Sequence, residues 1–343
     1  MFDSTGEPPA ANWAVRLLLV AGGIALISVP VWVLRMTRMP LQSFRGELDP
    51  LSVEEIQTKN EISRHVRYLA ETVGVRNLSR PGTLESAADY IRSSLEDEGY
   101  RVADQAYPID GRSVRNLEAV LSGSEGTAGN LVVGAHYDCV DDSPGADDNA
   151  TGVAAVLELA RLLRQSKPQK TIRFVLFVNE EPPYFQTEDM GSLVYARGLR
   201  RDKIAVSGMI SLETIGFYSN EPGSQRYPEP LGLLYPKRGD FVGFVGNSSS
   251  RDLLHAALRA FRATTRFPSE GIAAPEEWPG IGWSDHWSFW RQGYPAIMVT
   301  DTAPFRYPYY HTPKDTAERI DFSRMSRVVQ GLRRVVETLS AEK

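Results

Sequence analysis

Apolar and polar positions divide the chain into one charge-free run and a long stretch where helical and strand-like periods alternate. Residues 17–34, LLLVAGGIALISVPVWVL, carry no charge. At ~1.5 Å per residue such a helix is about 27 Å long, enough for a bilayer core. Arg16 and Arg35 bound it, and Trp13 and Trp32 sit near its ends as interfacial aromatics do. A retained membrane helix over residues 14–35 is therefore predicted, after a tail of residues 1–13. A cleaved signal peptide would want a basic start and a small-x-small exit, and a buried core helix would not need arginines at both ends. Arg35, Arg38 and Arg45 follow the run and only Arg16 precedes it. That bias is small, so the side of the membrane stays open.

Residues 36–50 read as a juxtamembrane linker and residues 51–343 as one domain. Apolar positions at helical spacing predict amphipathic helices over 53–72 and 83–98, the second stopped by Gly99. Residues 101–109 and 114–121 read as two strands joined at Asp110-Gly111, a hairpin signal. Short apolar runs at 131–135, 172–178, 204–212 and 296–300 have the look of buried parallel strands. Helical patterns at 152–164, 191–201 and 251–262 separate them, and a last helix spans 322–339. The alternation predicts an α/β fold, a mixed and mostly parallel sheet with helices on both faces. Residues 218–240, rich in Pro and Gly, read as a long surface loop of the kind that serves as a lid.

Composition narrows the classes. With 42% hydrophobic and 24% charged residues, the chain is neither disordered nor a multi-span membrane protein. A net charge of -5 and no Lys/Arg-rich stripe exclude a nucleic-acid footprint. The single cysteine, Cys139, excludes an internal disulfide and a cysteine-cluster metal site. It reads as a small buried side chain. A metal here must be held by His, Asp and Glu.

In open α/β sheets ligands sit beyond the carboxyl ends of the strands. Each predicted parallel strand ends near such a group: His136-Tyr137-Asp138, Asn179-Glu180-Glu181, Glu213, and Tyr310-His311 in the loop after 296–300. The loop Gly145-Ala146-Asp147-Asp148-Asn149 adds two more carboxylates. This hard nitrogen/oxygen set suits Zn²⁺ or a similar divalent ion. Two ions ~3.5–4 Å apart need one bridging carboxylate. Asp147, in a tight Gly-rich turn, is the expected bridge, with Asp148 or Asn149 capping the following helix. His136 and Glu213 would complete one ion's ligands, Glu181 and His311 the other's. Asp138, two residues after His136, is expected to hold its second ring nitrogen. Glu180 is left as the acid that takes a proton from the attacking water and returns it to the leaving amine. His65 and His255 read as structural. Trp278, Trp283, Trp287 and Trp290, with Tyr307, Tyr309 and Tyr310, cluster around Asp285 and His311 in sequence, as the lining of an apolar substrate pocket would.

The motifs HYD, GADDNATG, NEE and YHTPKDT, in this order and spacing, resemble the zinc aminopeptidases of the M28 peptidase family, from residue 53 to the end. The resemblance implies His136, Asp147, Glu181 and His311 as zinc ligands, Glu180 as general base and Asp138 as the aspartate behind a ligand. Ser284-Asp285-His286 resembles a segment near the family's substrate pocket. The family often has Asp where Glu213 stands, and related two-zinc carboxypeptidases have Glu there, so the direction of attack is open on this residue. The expectation is a membrane-tethered two-zinc aminopeptidase acting on peptides, its oligomeric state unread. A single-zinc glutaminyl cyclase and a non-catalytic receptor or scaffold of the same fold are the alternatives.

Overall fold

The computed structural model describes Leu17, Leu19 and residues 30–124, 129–229 and 231–341. The chain divides into residues 1–38 and 39–343. In the first unit residues 30–37 are helical, with the Thr37 hydroxyl donating to the Val33 carbonyl at 2.8 Å. Most of the run 17–34, on which the expected membrane span rests, lies outside the described residues. Among the described residues no helix is long and apolar enough to cross a membrane.

The second unit is built on an eight-stranded mixed sheet. In chain order its main elements are α1 (Val53–Arg67), α2 (Pro81–Asp97), β1 (Val102–Ile109), β2 (Arg112–Leu121), β3 (Asn130–His136), α3 (Gly152–Leu163), β4 (Thr171–Phe177), α4 (Gly191–Arg201), β5 (Val206–Glu213), β6 (Val242–Gly246), α5 (Arg251–Thr264), β7 (Ser269–Ala273), α6 (His286–Arg291), β8 (Ala296–Thr300) and α7 (Phe322–Ala341). The strand order is β1-β2-β4-β3-β5-β8-β6-β7. β4, β3, β5 and β8 run parallel, and the β1-β2 hairpin and β6 join them antiparallel. β6 and β7, parallel to each other, are absent from the sequence reading.

Local chemistry sets the elements. Ser52 and Glu55 form a reciprocal cap at the start of α1: the Ser52 hydroxyl accepts from the Glu55 amide at 3.1 Å and the Glu55 carboxylate accepts from the Ser52 amide at 2.8 Å. Residues 131–135 in β3 are buried on both faces, as a central parallel strand requires. From β3 the chain crosses to β4 on one side, then from β4 back past β3 to β5 on the other. Right-handed crossovers therefore put α3 and α4 on opposite faces. α1, α3, α5 and α7 pack together on one face, α4 and α6 on the other. The order of connection reverses between β3 and β5, and a crevice opens at their carboxyl ends. The 218–240 loop holds a 3-10 turn at Leu231–Leu233 and is pinned by buried Arg306, whose Nε donates to Gln225 Oε1 and Nη1 to the Phe241 carbonyl, each at 2.8 Å.

His65 of α1 is buried, with Nδ1 2.8 Å from the Tyr90 hydroxyl. Burial, with Arg64 and Arg161 nearby, pushes its pKa down to about 3. The unfolded chain therefore takes up this proton first as pH falls through the ordinary value near 6.5, and the stability held by neutral His65 drains as pH falls toward 3. In His65→Gln, the loss of unfolding free energy between pH 6.5 and 4 is expected to shrink by on the order of 3 kcal/mol. Urea titrations of both proteins at several pH values measure it. Parallel acid limbs would contradict the assignment.

Candidate metal centre

The crevice at the carboxyl end of the sheet gathers the strand-end residues. His136 is the last residue of β3 and Glu213 the last of β5, so adjacent parallel strands deliver them side by side. Glu180 and Glu181 follow β4, and His311 sits at positive φ (56°) in a tight loop beyond β8. His136 Nε2 lies 3.2 Å from Glu213 Oε2, 3.4 Å from Asp148 Oδ1 and 3.8 Å from Glu180 Oε2. His311 Nε2 lies 3.0 Å from Asp148 Oδ2 and 3.3 Å from Glu181 Oε2. Asp148 thus offers one oxygen to each histidine.

That position was expected of Asp147. Its carboxylate turns away, with Oδ1 accepting from the Gly216 amide at 2.9 Å and from the Thr151 hydroxyl at 3.4 Å. Two consecutive side chains here diverge, and the turn decides which one faces the histidines. Gly145 takes φ 58°, and a Cβ on it would stand 2.5 Å from the Asp148 carbonyl oxygen, so only glycine lets the loop fold back this far. Asn149 caps as expected: its Oδ1 accepts from the Gly152 amide at 3.0 Å and the Thr214 amide at 3.1 Å.

Asp138 differs in detail from its expected role. His136 Nδ1 faces the Asp138 backbone carbonyl at 3.2 Å and its carboxylate at 3.6 Å. The carboxylate is instead engaged by the Glu180 and Glu181 amides, each at 3.2 Å. The Ser284 hydroxyl donates to Glu213 Oε2 at 2.7 Å. His286 is a core residue: its Nε2 contacts the Ile281 carbonyl at 2.7 Å and its ring stands edge-on to Trp290. Asp285 is fully buried before α6, and burial pushes its pKa up to about 7. Tyr310 stacks on His311 with ring centroids 3.8 Å apart. Cys139 is buried, its thiol donating to the Ser143 carbonyl.

The donor set suits a divalent cation. His136 Nε2, Asp148 Oδ2 and Glu181 Oε1 are buried and have no hydrogen-bond partner outside this cluster of rings and carboxylates. Buried Glu180, Glu181, Glu213 and Asp148 crowd two histidines, buried His136 and the more open His311. Burial pushes Glu180 well above the carboxylate range and Glu181 up to about 8. Burial opposes protonation of His136, yet Glu213 and Glu180 raise it well above its ordinary value. Ligand atoms of His136, Asp148 and Glu181 lie within 4.8 Å of one another, as do those of His136, Glu180 and Glu213. A cation among them would neutralise charges that otherwise repel.

Two cavities flank this centre. One starts at Glu213 and Tyr310 and runs over Met298, Val245 and Ile272, roofed by Leu231 of the 218–240 loop. Trp283 lines it as expected. Trp290 instead lies in the core with its indole N–H on the Ala296 carbonyl. The other cavity starts at Glu181 and has mixed walls, with Asn77, Asp110, Arg112 and Asp141 beside Leu78 and Pro183.

Arg76 escaped the sequence reading. Fully buried, it donates to the carbonyls of Tyr137, Pro144 and Gly145 at 2.6–2.7 Å and ties the His136 loop to the Asp148 loop. Its partners are backbone atoms, so no residue pattern announces it.

Known proteins extend these findings. The profile of "Peptidase family M28" matches residues 116–336. The Escherichia coli K12 protein YfbL is 40% identical over 281 residues, covering 79% of this chain and 85% of the relative. A probable zinc metalloprotease of Pyrenophora tritici-repentis is 26% identical, and the chain spans 59% of its length. The zinc aminopeptidase BSAP from Bacillus subtilis superposes with a TM-score of 0.65 at 16% identity, over 83% of this chain and 95% of that one. A glutaminyl cyclase from Fimbriiglobus ruber gives 0.61 at 19%, over 88% and 98%. These two likenesses concern the fold.

Proposed function

Since the chain belongs to peptidase family M28, we propose that it is an aminopeptidase that works with two zinc ions sharing Asp148. The observation that carries this reading is the split Asp148 carboxylate, one oxygen toward each histidine, among buried ligand atoms with no hydrogen-bond partner outside the cluster. His136 and Glu213 would hold one ion with Asp148, and Glu181 and His311 the other. Zinc, when bound, acidifies water and polarises a scissile carbonyl.

This chain's own residues supply the rest. The Glu180 carboxylate lies beside His136 and accepts the proton of the attacking water, then returns it to the leaving amine. Asp138 fixes the backbone of Glu180 and Glu181. The apolar cavity that starts at Glu213 would seat the side chain of the terminal residue, which favours large apolar residues. The free amino group would lie against Glu213 at its mouth. The rest of the peptide would leave along the cleft beyond Glu181.

The purified protein is expected to release Leu and Phe from peptides with a free amino terminus and to leave amino-acetylated peptides intact. A chelator should abolish release and added Zn²⁺ restore it. Chelator-insensitive cleavage, or cleavage of the blocked peptides from their carboxyl end, would refute the proposal. Conversion of amino-terminal Gln to pyroglutamate by a protein holding one zinc per chain would favour the cyclase instead.

A further inference from the structure

Asp138 has a counterpart on the other side of the centre. It follows His136 by two residues, and its two oxygens each accept from one of two consecutive amides, those of Glu180 and Glu181. Asp315 follows His311 by four residues and does the same. Its Oδ1 accepts from the Asp147 amide at 2.8 Å and its Oδ2 from the Asp148 amide at 3.2 Å, across 168 and 167 positions of sequence. Asp315 is fully buried, and the hydroxyl of buried Tyr307 donates to Oδ1 at 2.9 Å. The loop carrying both His311 and Asp315 is tightly turned, with the Thr312 amide on the Tyr309 carbonyl and the Asp315 amide on the Thr312 carbonyl, both at 3.1 Å. One side chain therefore fixes where Asp148 stands relative to His311.

We propose that Asp315 is a positioning residue that aligns the Asp148 carboxylate with His311, and that Tyr307 orients Asp315 in turn. The proposal rests on reading Asp148 as the shared ligand. A carboxylate accepts two amide protons at once. Asparagine has one oxygen, and its NH₂ would confront the second amide. That amide would lose its partner, and the peptide carrying Asp148 would rotate away from His311.

The test titrates the metal-stripped full chain with Zn²⁺ in a calorimeter, and with Co²⁺ while following its visible bands. Asp315→Asn is expected to weaken metal binding 10–100-fold, as loss of a group orienting a ligand does. Its Co²⁺ bands should differ from those of the unmodified protein while the circular dichroism stays native. Tyr307→Phe keeps the carboxylate and removes one of its three donors. It should move affinity and bands in the same direction by a few-fold, and it decides the matter if Asp315→Asn does not fold. Zn²⁺ affinity and Co²⁺ bands that match the unmodified protein in a folded variant, with activity tracking only the folded fraction, would overturn the proposal. Unmodified protein that binds zinc without hydrolysing peptides would sink the aminopeptidase reading and leave this one standing. Unmodified protein that binds no zinc would overturn both.

Discussion

Asp148→Asn is expected to lower kcat/KM roughly a thousand-fold or more and to release metal on dialysis, because it removes the one charge both histidines face. The neighbouring Asp147→Asn is expected to cost only about ten-fold, as loss of an orienting group does, and to keep the metal. Its remaining oxygen still accepts from the Gly216 amide, the contact that Asp147 makes now. The pair is informative because the substitutions are chemically identical and adjacent in sequence. Only the direction in which each side chain leaves the loop distinguishes them: Asp148 points between His136 and His311, Asp147 toward Gly216 and Thr151. Kinetics on a leucyl substrate and metal content by atomic emission measure both. The reverse order would put the shared ligand at Asp147.

Glu180→Gln should behave differently from either. The side chain keeps its shape and the Glu180 amide keeps its bond to Asp138, so metal content and KM should stay close to those of the unmodified enzyme. The amide cannot take a proton from water, and kcat should fall by about 10²–10⁴. Burial and the neighbouring carboxylates already raise the proton affinity of Glu180, against the pull of His136. A positive ion nearby would bring it back toward the range a general base needs. Full activity in Glu180→Gln would remove Glu180 from the mechanism. Loss of metal with the activity would make it a ligand, a role its 3.8 Å approach to His136 also allows.

The parallel strands were legible because burial on both faces leaves continuous apolar runs, and Ala296–Thr300 matches its predicted bounds. β6 and β7 were not. Val242–Gly246 carries glycines at both 243 and 246, and Ser269–Ala273, the edge strand, holds Ile272 as its one large apolar residue. Neither offers a run long enough to stand out from loop. Within the centre, strand ends predicted His136, Glu181, Glu213 and His311 as neighbours, because a parallel sheet delivers its carboxyl ends to one side. The choice between Asp147 and Asp148 turns on the backbone dihedrals of a loop, which no periodicity encodes. Asp285 and His286 followed the Trp-rich segment in sequence, but α6 carries His286 into the core. Arg76 acts on carbonyls, groups every residue has, and so leaves no trace beyond its own letter; Asp315 stands inside the YHTPKDT motif, but its bonds to two backbone amides give that motif no pattern that spells out its role.

The most direct measurement is anomalous diffraction at the zinc edge from crystals of the zinc-loaded protein. Two peaks should flank the Asp148 carboxylate, one beside His136 and Glu213 and the other beside Glu181 and His311. A single peak away from Asp148, or peaks drawn to Asp147, would contradict the shared-ligand account.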